Sequence, residues 1–120
     1  MRKTVLMAAV VALAVPFAGV ADAKHRKQAG AGQAAQACKA ERQSLGREGF
    51  RAKWGNAQGR RAMRRCVRAH VRAARKKCRE ERQADANAFR QKYGNKKGRH
   101  AMRRCIRAHA GEPADPPAQP

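Results

Sequence analysis

Aliphatic hydroxyl side chains are almost missing from this chain, with Ser44 and Thr4 the whole supply, and carboxylates number 8 against 29 lysines and arginines. Two of those carboxylates, Glu112 and Asp115, sit in a Pro-rich terminus, so no evident acid/base pair remains for proton-transfer chemistry. A Cys/His nucleophile at Cys66/His70 would be duplicated at Cys105/His109, which suits structure better than a single active centre. These shortages argue against an enzyme. No alternating apolar run of strand length occurs, which points to an all-α chain. Aromatics make up 4% of the residues and most apolar positions are alanine, so a domain built from them buries little area and needs staples. The only long apolar run, Val5 to Val15, is too short to cross a bilayer comfortably and is followed by Pro16.

That run has a different reading. Met1-Arg2-Lys3 precedes it as a positive segment and Ala21-Asp22-Ala23 follows as a small-x-small cleavage site, so residues 1–23 read as a secretory signal peptide, with cleavage near Ala23. Its removal takes away Arg2, Lys3 and Asp22 and leaves 27 basic and 7 acidic side chains. A chain this basic gathers anions. Over the full sequence arginines outnumber lysines 19 to 10, a bias toward planar, bidentate contact with phosphate, sulfate or carboxylate. A GC-rich genome would account for that ratio but not for the order of the arginines along the chain. In an exported protein the 4 cysteines become the natural staples.

Residues 24–33 are basic and Gly-containing without an apolar period and read as a flexible arm. A two-repeat helical domain is expected over 34–110, and the Pro-rich tail 111–120 is expected to be disordered. Within the domain, Ala34, Ala37, Cys38 and Leu45 share a helix face, Gly46 and Gly49 weaken or bend that helix, and Phe50 and Trp54 stand one turn apart before a Gly55-Asn56 stop. A long central helix is expected from Gly59 to about Ala84. Phe89 and Tyr93 then repeat the aromatic pair, Gly94-Asn95 repeats the stop, and a last helix spans Gly98 to Ala110.

The repetition is explicit. Residues 50–70 and 89–109, offset by 39, share 15 of 21 positions, and Cys38-x2-Glu41-Arg42-Gln43 recurs as Cys78-x2-Glu81-Arg82-Gln83 at an offset of 40. Repeat 1 covers 38–70 and repeat 2 covers 78–109; a period near 40 residues is the mark of stacked helical hairpins. The architecture expected is two tandem disulfide-stapled hairpins sharing the central helix. The pattern Cys-x2-Glu-Arg, Phe-x3-Trp/Tyr-Gly, then a second Cys followed by Val or Ile, resembles small secreted Cys-repeat proteins of high-GC Gram-positive bacteria. The resemblance covers Cys38 to about His109 and implies compartment and architecture, not an activity. Where that group approaches its second cysteine with Ala-Phe-Gly-Lys-Cys, this chain has Ala62-Met63-Arg64-Arg65-Cys66 and Ala101-Met102-Arg103-Arg104-Cys105, a departure that adds arginine.

On the central helix, Met63, Cys66, Val67, His70, Ala74 and Cys78 form an apolar stripe, while Arg61, Arg65, Arg68, Arg72, Arg75, Arg79 and Arg82 fall on the opposite face as a ridge on the order of 30 Å long. Cys66 and Cys78 are roughly 18 Å apart on such a helix and cannot bond. Repeat logic favours Cys38–Cys66 with Cys78–Cys105 over Cys38–Cys78 with Cys66–Cys105. A zinc reading rests on Cys66-x3-His70 and Cys105-x3-His109, with Cys38 or Cys78 as a third ligand. Export oxidises thiols, C-x2-C pairs are absent, and no fourth ligand is obvious apart from Glu41 or Glu81, so no metal or other cofactor is expected. With disulfides formed, His70 and His109 become packing residues, with Glu41 and Glu81 as candidate partners.

The function expected is non-enzymatic binding of an anionic polymer, whether nucleic acid, cell-wall polymer or acidic polysaccharide. The ridge would carry it, helped by Arg64, Arg103, Arg104 and Arg107, without sequence preference, since no familiar nucleic-acid motif is present. Two readings compete: a structural secreted protein whose basic face is merely solvated, and a cationic agent acting on an anionic membrane surface. The apolar stripe lacks the Trp, Phe and Leu that anchor membrane-active helices.

Overall fold

The computed structural model describes residues 28–56 and 58–118. The expected signal peptide, 1–23, and the start of the basic arm lie outside the described residues. Four helices follow in order, α1 (Ala31–Trp54), α2 (Ala62–Ala84), α3 (Ala86–Tyr93) and α4 (Ala101–His109), and no strand occurs among the described residues. The all-α expectation holds. Both cystines are Cys38–Cys66 and Cys78–Cys105, each with its Cα atoms 6.0 Å apart. Such cystines indicate an oxidising compartment. No described helix is long and apolar enough to cross a membrane.

α2 is the spine. It carries Cys66 and Cys78, one half of each cystine, and packs against α1 most extensively, then α4 and α3. Its buried stripe is Ala62, Cys66, His70, Val71, Ala74 and Cys78, with Met63 and Val67 half-buried. Val71 and Ala62 therefore sit deeper than the spacing suggested, because α2 is covered from two sides. One core cluster gathers Cys38, Phe50, Trp54, Ala62 and Cys66. The other gathers Ala34, Val71, Ala74, Cys78, Phe89, Tyr93, Ala101, Cys105, Ile106 and Ala110. Val67 packs against both.

Besides the last helix, which begins at Ala101 and not at Gly98, four features differ from expectation. α1 begins at Ala31, inside the stretch 24–33 read as a flexible arm. Gly30 turns the chain at φ 82°, its carbonyl accepts from the Ala34 N–H at 3.0 Å, and Ala29 packs on the core. Alanine and glycine give too faint an apolar period for this to be read from composition. α2 begins at Ala62, not Gly59, because the preceding loop is closed by its own hydrogen bonds. The Asn56 Oδ1 accepts from Arg60 N–H at 2.7 Å and the Asn56 carbonyl from Gly59 N–H at 2.7 Å. The same pair recurs 39 residues later, with Asn95 accepting from Arg99 and Gly98 at 2.8 and 2.7 Å. A side chain on Gly55 would lie 2.8 Å from Gly59 Cα, and one on Gly94 2.9 Å from Gly98 Cα, so both loops close through glycine.

The third difference is inside α1. Gly46 has φ 71° and ψ 172°, a region essentially confined to glycine, and breaks α1 into two helical segments at different angles. Leu45, expected on the buried stripe, is 45% exposed at this break. In the second unit the matching break falls at Asp85, whose carboxylate caps α3 by accepting from the Asn87 and Ala88 N–H groups at 2.9 Å. The fourth concerns the tail 111–120, expected to be disordered: Glu112 pairs with Lys77 at 2.7 Å and Ala114 packs against the Cys38–Cys66 cluster.

Candidate polyanion surface

Of the seven arginines assigned to the ridge, the structure places five as expected. Arg68, Arg72, Arg75, Arg79 and Arg82 are exposed on the face of α2 away from its buried stripe, spanning about 21 Å at 1.5 Å per residue. Arg61 is not in the helix. It is the residue before it, in the left-handed region at φ 59°, because the Asn56-closed loop delivers the chain there. Arg65 is half-buried, and its Nε is shut from solvent without a hydrogen-bond partner. Packing splits the ridge between two grooves. Arg65, Arg68 and Arg72 line one with Asp115 and Pro117 of the tail. Arg75, Arg79 and Arg82 line the other with Met102 and Ile106 of α4. The helpers Arg64, Arg103 and Arg107 are exposed, while Arg104 Nη1 donates to the Gly94 carbonyl at 3.3 Å and helps close α3.

The charge pairing is selective. Glu41 binds Lys53, Glu80 binds Lys76, Glu81 binds Lys92 and His109, and Glu112 binds Lys77 and His109. Every basic partner in these pairs is lysine or histidine. No arginine forms an ion pair among the described residues, although arginine is the better fork for a carboxylate. The exposed guanidinium groups of Arg68, Arg72, Arg75, Arg79 and Arg82 therefore have no carboxylate partner among the described residues.

Histidine settles differently in the two units. In the second, Tyr93 Oη lies 2.9 Å from His109 Nε2 and donates to Glu81 Oε2 at 3.0 Å, while His109 Nδ1 meets Glu112 Oε1 at 2.7 Å. The Glu81–His109 neighbourhood expected from sequence is therefore present. In the first unit Trp54 stands where Tyr93 does, and Ala73 stands three residues after His70, where Glu112 follows His109. Consequently His70, 4% exposed, finds no hydrogen-bond partner on either ring nitrogen, and the Glu41 pairing does not form.

Lys92 beside Glu81 holds its carboxyl below the usual carboxylate range, with Tyr93 and His109 adding to the effect. Lys77 does the same to Glu112, helped by His109. Both carboxylates therefore favour the fold while ionised, a contribution fully present above the ordinary carboxylate range and lost as the pH falls through their lowered values. Thermal melts between about pH 6 and about pH 3 should show a falling midpoint, and Glu81→Gln and Glu112→Gln should each start lower and fall less. Parallel curves for wild type and both variants would remove these carboxylates from the account.

Two groups of metal-ligand types cluster within 4.8 Å, Cys38 with Cys66 and His70, and Glu81 with Cys105 and His109. All four sulfurs are bonded in cystines and offer no thiolate, leaving fewer protein ligands than a structural zinc takes.

Among the arginines that sequence reasoning passed over, Arg42, Arg47, Arg51 and Arg60 line a cavity with Arg61. The available signal was the i, i+4 spacing of Arg47 and Arg51, but only the fold brings the loop arginines to them. No protein-family model, no curated protein and no solved structure matches the chain, so a functional reading rests on this geometry alone.

Proposed function

We propose that this is a secreted, non-enzymatic protein that binds anionic polymers without sequence preference through the arginines of α2 and α4. The observation that carries the reading is the pairing pattern: every ion pair among the described residues uses lysine or histidine, while Arg68, Arg72, Arg75, Arg79 and Arg82 remain exposed and unpaired. Holding like charges at i, i+4 spacing costs a helix a few tenths of a kcal/mol per pair, a cost an anionic partner removes. Nucleic acid, cell-wall polymer and acidic polysaccharide all offer the required repeat of charge. Secretion follows from the reading of residues 1–23 and agrees with the two cystines.

Duplex DNA of random sequence supplies a measurable probe. Log affinity should fall linearly with log salt, with a slope of about −0.9 per phosphate neutralised. Changing Arg68, Arg72 and Arg75 together to glutamine should weaken binding and flatten the slope by up to about three units, with helicity retained because all three side chains are exposed. A teichoic-acid-like polymer should compete. An unchanged slope would move binding elsewhere on the chain, and no binding near physiological salt would leave a solvated basic face as the reading.

A further inference from the structure

Beside the N-terminal end of α2 lies a cavity of about 520 Å³ that shares no lining residue with either ridge groove. Arg42, Arg47 and Arg51 reach its wall from α1, and Arg60 and Arg61 from the loop; Phe50 and Met63 supply apolar lining. No carboxylate lines it, and none of the five arginines takes part in an ion pair among the described residues. Glu41, one residue from Arg42, is already held by Lys53 at 2.5 Å.

Three features of the fold assemble this wall. The break at Gly46 lies between Arg42 and Arg47, so the two arginines belong to different helical segments yet face one space. Arg47 and Arg51 stand at i, i+4 on the second segment and share a face. The Asn56-closed loop then presents Arg60 and Arg61 opposite them. The start of α2 adds its own field: no side chain caps it and its first turn holds no acidic residue. The positive end of a 23-residue helix thus adds to five guanidinium groups.

We infer that this cavity is a binding site for a compact, multiply charged phosphate chain, of the size and charge of inorganic triphosphate. Five forks around a volume in the range of small-ligand pockets match an anion that concentrates several charges in a few atoms better than a smooth polymer with one charge per repeat. The inference rests on the polyanion reading and narrows it: the ridge holds the length of a polymer, and the cavity takes a phosphorylated end or a free oligophosphate. The second unit is the internal contrast. It keeps Arg82, Arg90 and Arg99 at the matching positions but has Ala86 in place of Arg47 and His100 in place of Arg61.

Calorimetric titration of the intact, oxidised protein with inorganic triphosphate tests this, with orthophosphate as the weaker comparison. One tight site per chain is expected. Arg47→Ala, which copies the second unit at an exposed helical position, should weaken that site about tenfold or more, since a hydrogen bond to a charged group is worth that much. Arg61→Gly should weaken it too while relieving the left-handed backbone at that position, so loss of binding would come without loss of fold. The Arg68, Arg72 and Arg75 triple glutamine variant should bind triphosphate as the wild type does. A 5′-triphosphorylated oligonucleotide outcompeting its 5′-hydroxyl form would identify a polymer end as the source, whereas equal competition with tight triphosphate binding would identify a free oligophosphate. Triphosphate affinity unchanged in Arg47→Ala and Arg61→Gly, or lost only in the ridge variant, overturns the cavity assignment. Either result leaves the DNA salt slope to judge the ridge by itself.

Discussion

Reduction of both cystines should abolish most of the helical circular-dichroism signal near room temperature. Cys38–Cys66 and Cys78–Cys105 close loops of 28 and 27 residues, and each is worth about 3.5 kcal/mol in the chain-entropy treatment. Together they amount to as much as the whole folding stability of many small domains. The apolar contribution they supplement is small, because alanine and cystine make up most of the two core clusters. α2 does not replace them: it has six buried positions in 23 residues and a face of repelling arginines, so it needs both partners held against it. Removing one pair at a time separates the units. A Cys38→Ser, Cys66→Ser double variant should shift the emission of Trp54, the single tryptophan, toward that of an exposed indole while the second unit keeps part of its helicity. Helicity and a cooperative melt unchanged after full reduction would show that the core suffices without its staples.

What could be read from the sequence was what repetition or charge recorded twice. The cystine pairing followed from two copies of one unit, and the helix class from the absence of any strand period. The exposed face of α2 between Arg68 and Arg82 followed from spacing alone. What was missed depended on single atoms. Asn56 looks like part of a stop signal, yet its side-chain oxygen captures Arg60 N–H and moves the start of α2 to Ala62, taking Arg61 off the ridge. Gly46 looks like a weak helical residue, whereas its backbone leaves the helix altogether and turns Leu45 outward. Glu112 looked like tail because prolines surround it, but Lys77 and His109 lie within 2.7 Å of it. The five-arginine cavity needed both of the first two features, since the break orients Arg42 and Arg47 and the loop supplies Arg60 and Arg61.

Trp54→Ala should be the costliest single substitution in the first unit, at about 3 to 5 kcal/mol by the precedent of large aromatic truncations. Trp54 is fully buried, sits in the cluster with Phe50 and the Cys38–Cys66 cystine, and lies 6.1 Å from the His70 ring. Its indole N–H finds no hydrogen-bond partner, so its hold on the fold is packing, with Lys53 Nζ 5.3 Å from the ring adding a cation–π contact. Trp54→Tyr should cost far less, because the second unit already solves the same position with Tyr93. There the hydroxyl satisfies Glu81 and His109, and the matching His70 ring lies 6.1 Å from that of Trp54, while the matching Glu41 pairs with the adjacent Lys53. The tyrosine variant trades indole volume for a partner on His70, which otherwise has none on either nitrogen. Chemical denaturation followed by circular dichroism, with cystines intact, measures both variants. An alanine variant within about 1 kcal/mol of wild type would mean that the cystine alone holds the first unit together. A tyrosine variant as damaged as the alanine one would mean that the two units pack their aromatic positions by different rules.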